Sequence, residues 1–85
     1  MQLDEIRRKI DDVDERICLL LKERFDLAKE VGELKKVLSL NVENKDRENE
    51  VLKAVRMRLP DEYKDYAQKV FELLIEESKD LQNKL

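Results

Sequence analysis

From Leu3 to Leu38 the apolar residues fall alternately three and four positions apart, without a Pro and with a single Gly near the end. The series runs Leu3, Ile6, Ile10, Val13, Ile17, Leu20, Arg24, Leu27, Val31, Leu34, Leu38. Ten of these eleven positions are apolar, which is the a/d pattern of one long helix that packs along its whole length. Arg24 alone puts a charge on the seam. Asp4, Arg8, Asp11, Asp12, Glu15, Lys22 and Glu33 form the solvated face.

Two shorter helices follow. Ser39 to Glu43 reads as a connection, with Asn41 supplying turn chemistry. Asn44 is a good N-cap and Asp46 suits the positive end of a second helix, which runs to about Leu59, where Pro60 stops it. Its inward face is Val51, Leu52, Val55 and Leu59. Glu48 shares that face, and Arg47 points to its edge. Asp61 can cap a third helix running to about Asn83, with Tyr63, Tyr66, Ala67, Val70, Phe71, Leu74 and Ile75 as its stripe. Carried forward, that stripe passes through Ser78 and Gln82 beside Leu81. The fold class is all-α, one long N-terminal helix and two shorter ones, with residues 1–85 forming a single domain.

Length sharpens this picture. Thirty-six helical residues make a rod of roughly 54 Å, whereas a compact domain of this size has a radius of gyration near 12 Å. The remaining residues cannot cover such a rod, so an intertwined homodimer with paired long helices is expected. Gly32 costs about 1 kcal/mol relative to Ala in a helix interior. It marks close approach of another backbone, a local bend, or simple tolerance by the flanking turns. Cys18 adjoins the seam and reads as a small buried apolar residue.

Composition removes several function classes. Charged residues make up 46% of the chain with a net charge of -3, and the signs are interleaved, so there is no basic stripe for nucleic acid. No apolar run is long enough to span a membrane, and the polar N-terminus lacks a signal-peptide core. One Cys and no His leave neither an internal disulfide nor a soft metal site. The expectation is a cytoplasmic protein with no metal or cofactor.

Periodicity also isolates the polar residues that lie on inward faces: Arg24, Lys35, Glu48, Ser78 and Gln82. Arg24 and Lys35 are eleven residues apart, about 20° from a whole number of turns and about 16 Å along the axis. Two long basic side chains so placed can lean together and grip a small dianion. Buried charges need partners, and two readings meet that need. In one, Arg24 pairs with Glu48 inside a polar layer that sets dimer register; in the other, the cluster binds an anionic ligand. The excess of positive charge over the single inward carboxylate favours the ligand. Arg7 lies about 25 Å from Arg24 along the same helix. It reads as a solvated flank residue, unless antiparallel pairing brings it to the basic region of a second copy.

These residues, at these intervals, resemble the all-helical class of chorismate mutase. The stretch Ile6-Arg7-Arg8-Lys9-Ile10-Asp11-Asp12-Val13-Asp14 is similar to that family's opening helix, and Glu23-Arg24 with Leu27-Ala28, Val31-Gly32 and Lys35 to its continuation. Asp46-Arg47-Glu48 resembles the start of the second helix, and Leu74-Ile75-Glu76-Glu77-Ser78 with Gln82 the third. The resemblance implies conversion of chorismate to prephenate in phenylalanine and tyrosine biosynthesis. It implies that Arg24, and Arg7 from a second copy, bind the substrate carboxylates, and that Lys35 and Gln82 donate to the ether oxygen. It further implies that Glu48 accepts from the ring hydroxyl, with Arg47 and Ser78 supporting binding. Asn44 stands where the family usually has Asp; it caps a helix equally well, but a carboxylate contact to substrate would be weakened. Such a pericyclic step needs no nucleophile, metal or cofactor, only conformer selection and charge stabilisation.

Two alternatives share the fold. An isochorismate-pyruvate lyase would use a similar cationic site, though Glu48, Ser78 and the five-residue connection favour the mutase. A non-catalytic helical dimerisation or regulatory module would have no use for Lys35 and Gln82, where packing prefers apolar residues.

Overall fold

Three α-helices account for nearly all of residues 2–85, which a computed structural model of the chain describes: α1 (Gln2–Val37), α2 (Lys45–Met57) and α3 (Asp61–Asn83). No strand occurs among the described residues. The α3 helix is the middle layer, packing on α1 at one side and α2 at the other, while α1 and α2 do not pack on each other. The molecule measures 56 × 26 × 15 Å with a radius of gyration of 15.9 Å. Both values fit a rod set by α1 rather than a sphere.

Helix ends follow local chemistry. Asp4 and Glu5 sit in the first turn of α1 and Lys35 and Lys36 in the last, each complementing the helix dipole. At the C-terminus of α1, Ser39 N–H donates to the Lys36 carbonyl at 3.2 Å and Leu40 N–H to the Lys35 carbonyl at 2.8 Å. This is the Schellman pattern, and Ser39 takes the left-handed conformation it requires, at φ 56°. The turn chemistry expected of Asn41 therefore belongs to Ser39, because the helix stops at Val37, four residues before Asn41. Asn44 caps α2 as expected: its Oδ1 accepts from Arg47 N–H at 3.1 Å. Helix α2 ends at Met57, before Leu59, and Arg58 N–H closes the last turn on the Val55 carbonyl. Pro60, not Asp61, occupies the N-cap of α3; Asp61 is already helical, and its carboxylate pairs with Lys64 at 3.0 Å.

The α2–α3 pair is pinned by Arg56, whose Nη1 donates to Asp65 Oδ1 at 2.8 Å and Gln68 Oε1 at 2.9 Å. This contact holds the Asp65 carboxyl below its ordinary range. The apolar core is small. Ala28, Val55 and Ile75 are buried, Ser78 is buried with them, and no large side chain is wholly enclosed.

Burial on α1 departs from the seam. The residues of α1 that lose exposure are Leu21, Arg24, Phe25, Ala28, Gly32 and Lys35, whereas all ten apolar seam positions stay exposed in the single chain. Cys18 is exposed as well, contrary to its expected burial. On α3, Ala67, Phe71, Leu74 and Ile75 turn inward, but Tyr63, Tyr66 and Val70 do not. Among the described residues no helix is long and apolar enough to cross a membrane.

Candidate active site

Because α3 separates α1 from α2, a cleft opens above it between the second half of α1 and the start of α2. Its volume is about 320 Å³, at the lower end of the roughly 300–1,000 Å³ typical of small-molecule sites. Seven residues singled out from the sequence line it together: Arg24 and Lys35 from α1, Asn44, Arg47 and Glu48 at the start of α2, and Ser78 and Gln82 from α3. Leu27, Val31, Val51 and Ile75 supply apolar wall. Arg7 lies elsewhere, on the exposed first half of α1.

Each polar head is held by a specific partner. Arg24 Nη1 donates to Ser78 Oγ at 2.8 Å, and the guanidinium lies 6.0 Å from the centre of the Phe71 ring. The alternative that pairs Arg24 with Glu48 is thereby corrected: Ser78 is the neighbour one layer inward, and it is neutral. Arg24 keeps its charge without a carboxylate in contact. Burial, and then the nearby Arg47, push its pKa down from the ordinary arginine value, although an arginine stays protonated in proteins. A site with two such cations close together favours an anion.

Lys35 Nζ donates to the Val42 carbonyl in the connection at 2.8 Å. That bond uses one of three N–H donors and leaves two. Gln82 Nε2 donates to the Ala28 carbonyl at 2.9 Å, which fixes the orientation of its amide and leaves one N–H. Gly32 explains how Gln82 gets so close. A Cβ at Gly32 would lie 2.8 Å from Gln82 Cγ, 3.1 Å from Gln82 Cβ and 2.8 Å from Leu85 Cδ1. The close approach at Gly32 within the chain is thus by the side chains of Gln82 in α3 and of Leu85 beyond it. With its Oδ1 committed to the α2 cap, Asn44 has its amide N–H groups to offer a ligand. Arg47 Nη1 reaches Glu50 at 3.0 Å, an exposed pair that restrains it weakly.

Glu48 is the one carboxylate in the lining, and its partner is a residue that sequence periodicity does not single out. Lys79 Nζ lies 3.4 Å from Glu48 Oε2, and the same ammonium meets Glu76 at 3.0 Å and Glu43 at 3.3 Å. Three carboxylates hold the Lys79 pKa above its ordinary value, Glu76 contributing most, and the Glu43 carboxyl is correspondingly held low by Lys45 and Lys79. Lys79 adjoins Ser78 within a charged run, so only its distance from the α3 stripe, one position, hints at the cleft.

The cleft therefore offers four cations, Arg24, Lys35, Arg47 and the Glu48-paired Lys79, two neutral amides, Asn44 and Gln82, and one carboxylate against an apolar wall. It contains no Cys and, from the sequence, no His. Such a set can bind and orient a small dianion and place donors against an atom that gains negative charge.

Comparison with known proteins agrees with that chemistry. Residues 6–83 match the family model described as chorismate mutase type II. A chorismate mutase of Methanocaldococcus jannaschii is 37% identical over 83 residues, which cover 95% of this chain and 84% of that protein. A bifunctional chorismate mutase/prephenate dehydratase of Aquifex aeolicus is 41% identical over 54 residues, 64% of this chain and 15% of that longer protein.

Proposed function

The chain belongs to the chorismate mutase type II family, and from that premise we propose that its cleft converts chorismate to prephenate in the aromatic amino-acid branch of metabolism. The observation that carries the reading is the convergence of Arg24, Lys35, Arg47 and Gln82 on one cavity with unused N–H donors. The reaction is an isomerisation: the ether C–O bond breaks as a C–C bond forms, and no atom is gained or lost. The protein has two tasks, and both are electrostatic or geometric.

The first task is to hold the reactive conformer. Arg24, positioned by Ser78 and the Phe71 face, binds one substrate carboxylate with its remaining N–H groups. Arg7 from a second copy binds the other, with Arg47 and Asn44 at the rim. Glu48 accepts from the ring hydroxyl. Fixing a flexible molecule in a near-attack geometry is worth several kcal/mol of barrier. The second task is to stabilise charge that grows on the ether oxygen as the bond lengthens. Lys35 and Gln82 donate there through N–H groups not committed to Val42 and Ala28.

Homodimerisation belongs to the same proposal. Leu3, Ile6, Ile10, Val13, Ile17 and Leu20 are each between 41% and 62% exposed. Covering side chains of this size contributes on the order of 1 kcal/mol each. A second copy laid antiparallel would cover them and bring Arg7 towards the Arg24 cleft.

Incubating the purified chain with chorismate, and separately with isochorismate, tests the reading. Prephenate from chorismate alone is expected. Salicylate from isochorismate would replace the mutase by a lyase, and no product from either would leave a non-catalytic module. Lys35→Ala should lower kcat by about 10²–10³-fold, the usual effect of removing one donor to a developing oxyanion.

A further inference from the structure

Lys79 joins three elements at one ammonium: Glu76 on α3 itself, Glu43 in the connection and Glu48 at the start of α2. These contacts are not equivalent. The Glu76 and Glu43 side chains are 66% and 56% exposed, so water screens their attraction to Lys79. Glu48 is 18% exposed and Lys79 itself 17%, and there the same separation acts through a lower dielectric. The pair that matters electrostatically is Lys79 with Glu48.

The other charged groups around Glu48 are already engaged. Arg24 from α1 is bonded to Ser78, Lys35 from α1 to the Val42 carbonyl, and Arg47 from the same helix to Glu50. Among the described residues Lys79 is the cation that contacts the Glu48 carboxylate. Its ammonium hydrogen-bonds Oε1 at 3.5 Å and lies 3.4 Å from Oε2, which is buried and has no hydrogen-bond partner of its own. A buried acceptor without a donor is costly unless something supplies one. A ligand hydroxyl would do so, provided that the carboxylate is correctly turned.

We infer that Lys79 is the positioning residue of this site: it holds the Glu48 carboxylate in orientation, with Oε2 left for the hydroxyl of the bound substrate. Lys79 does not touch the substrate in this account. It acts through Glu48, and it also ties Glu43 of the connection to α3, beside the Lys35–Val42 tie on the other side. The inference rests on the mutase reading for the identity of the hydroxyl, but the coupling of Lys79 to Glu48 stands without it.

The test compares kcat/KM on chorismate for the unmodified chain, Lys79→Met and Lys79→Arg, each also in a Glu48→Gln background, and follows the Glu48 side-chain ¹³C signal at neutral pH. Lys79→Met should lower kcat/KM about tenfold, within the coupling expected of contacting groups, and should move the Glu48 signal; Lys79→Arg should restore both. In the Glu48→Gln background Lys79→Met should cost almost nothing further. Lys79→Gln, which keeps a polar head, replaces the Met variant if that variant unfolds. A full loss from Lys79→Met in the Glu48→Gln background, or an unmoved Glu48 signal in the uncharged variant, overturns the assignment. Absence of prephenate from the unmodified chain refutes the mutase reading instead, because the NMR comparison needs no turnover.

Discussion

The two halves of α1 carry the same sequence rhythm and meet different surroundings. From Gln2 to Leu20 every residue is exposed, whereas from Leu21 onward a stripe through Arg24, Phe25, Ala28, Gly32 and Lys35 is partly or wholly buried within the chain. The covered stripe is not the a/d seam: Leu27, Val31 and Leu34 beside it remain about as exposed as Ile6 and Ile10. The helix thus has two working faces. One, confined to its second half, is used inside the chain and, with Leu27 and Val31 of the seam beside it, builds the cleft. The other runs its full length and faces outward. Arg24 belongs to both, since it occupies a seam position and also touches Ser78 and Phe71. A charge there makes sense only where the two faces meet over a cavity.

If the outward face is the pairing surface, the first half of α1 should be fragile in a way the second half is not. Ile10→Asp combined with Ile17→Asp puts two charges at the centre of the seam, about 10 Å apart, without touching any residue of the cleft. Sedimentation should shift from the mass of two chains to that of one, with much of the helical signal lost, and turnover should vanish. An unchanged mass and unchanged activity would dissolve the distinction between the halves. The next largest effect joins the two halves. Arg7→Ala and Arg24→Ala chains should each lose about 10²–10³-fold in activity, as oriented cationic donors typically do. Mixed in equal amounts and allowed to exchange, they should recover about a quarter of the unmodified rate, because half of the two-fold dimers are mixed and each has one intact site. No recovery despite exchange would confine each site to one chain.

The sequence makes these features unequally legible, and the reasons are physical. The seam and the three helices stand out because periodicity reports burial of any kind, including burial by a second copy. Arg24, Glu48, Ser78 and Gln82 stand out because each lies on an apolar face, and Lys35 because it projects from the same side as Arg24; the structure places all five in one cleft. The stripe that meets α3 is hidden under the stronger seam, since Leu21, Phe25 and Ala28 read as flank residues of the same helix. Lys79 is hidden for a different reason. In a run of alternating charges it looks like solvated surface, and only the tertiary fold brings Glu43 and Glu48 to it. Partner choice is likewise beyond pattern: Ser78 rather than Glu48 receives Arg24 because α3, not α2, packs on α1. Glycine is ambiguous for the opposite reason, as Gly32 has no side chain to place it on a face.

Gly32 gives the smallest effect and the sharpest contrast between the halves. In the exposed half of a helix, Gly→Ala stabilises by about 1 kcal/mol through propensity alone. At Gly32 that gain meets a clash, since the new methyl would stand 2.8 Å from Gln82 Cγ and 2.8 Å from Leu85 Cδ1. Leu85 lies past the end of α3, and its side chain can turn away. Gln82 is anchored by its bond to the Ala28 carbonyl, one helical turn before Gly32, so relief there must move the amide. Overpacking typically costs 1–3 kcal/mol, and with the propensity gain set against it the net stability change should be under about 2 kcal/mol. Displacing a donor by about 1 Å, however, can cost on the order of 100-fold in rate. Gly32→Ala should therefore melt near the unmodified chain while kcat falls about tenfold or more, with KM little changed, because Gln82 acts on charge that develops in the transition state. The same substitution in a Gln82→Ala background should cost almost nothing further. A full additive loss in that double variant would mean that Gly32 shapes the packing of α3 at large rather than the position of one amide.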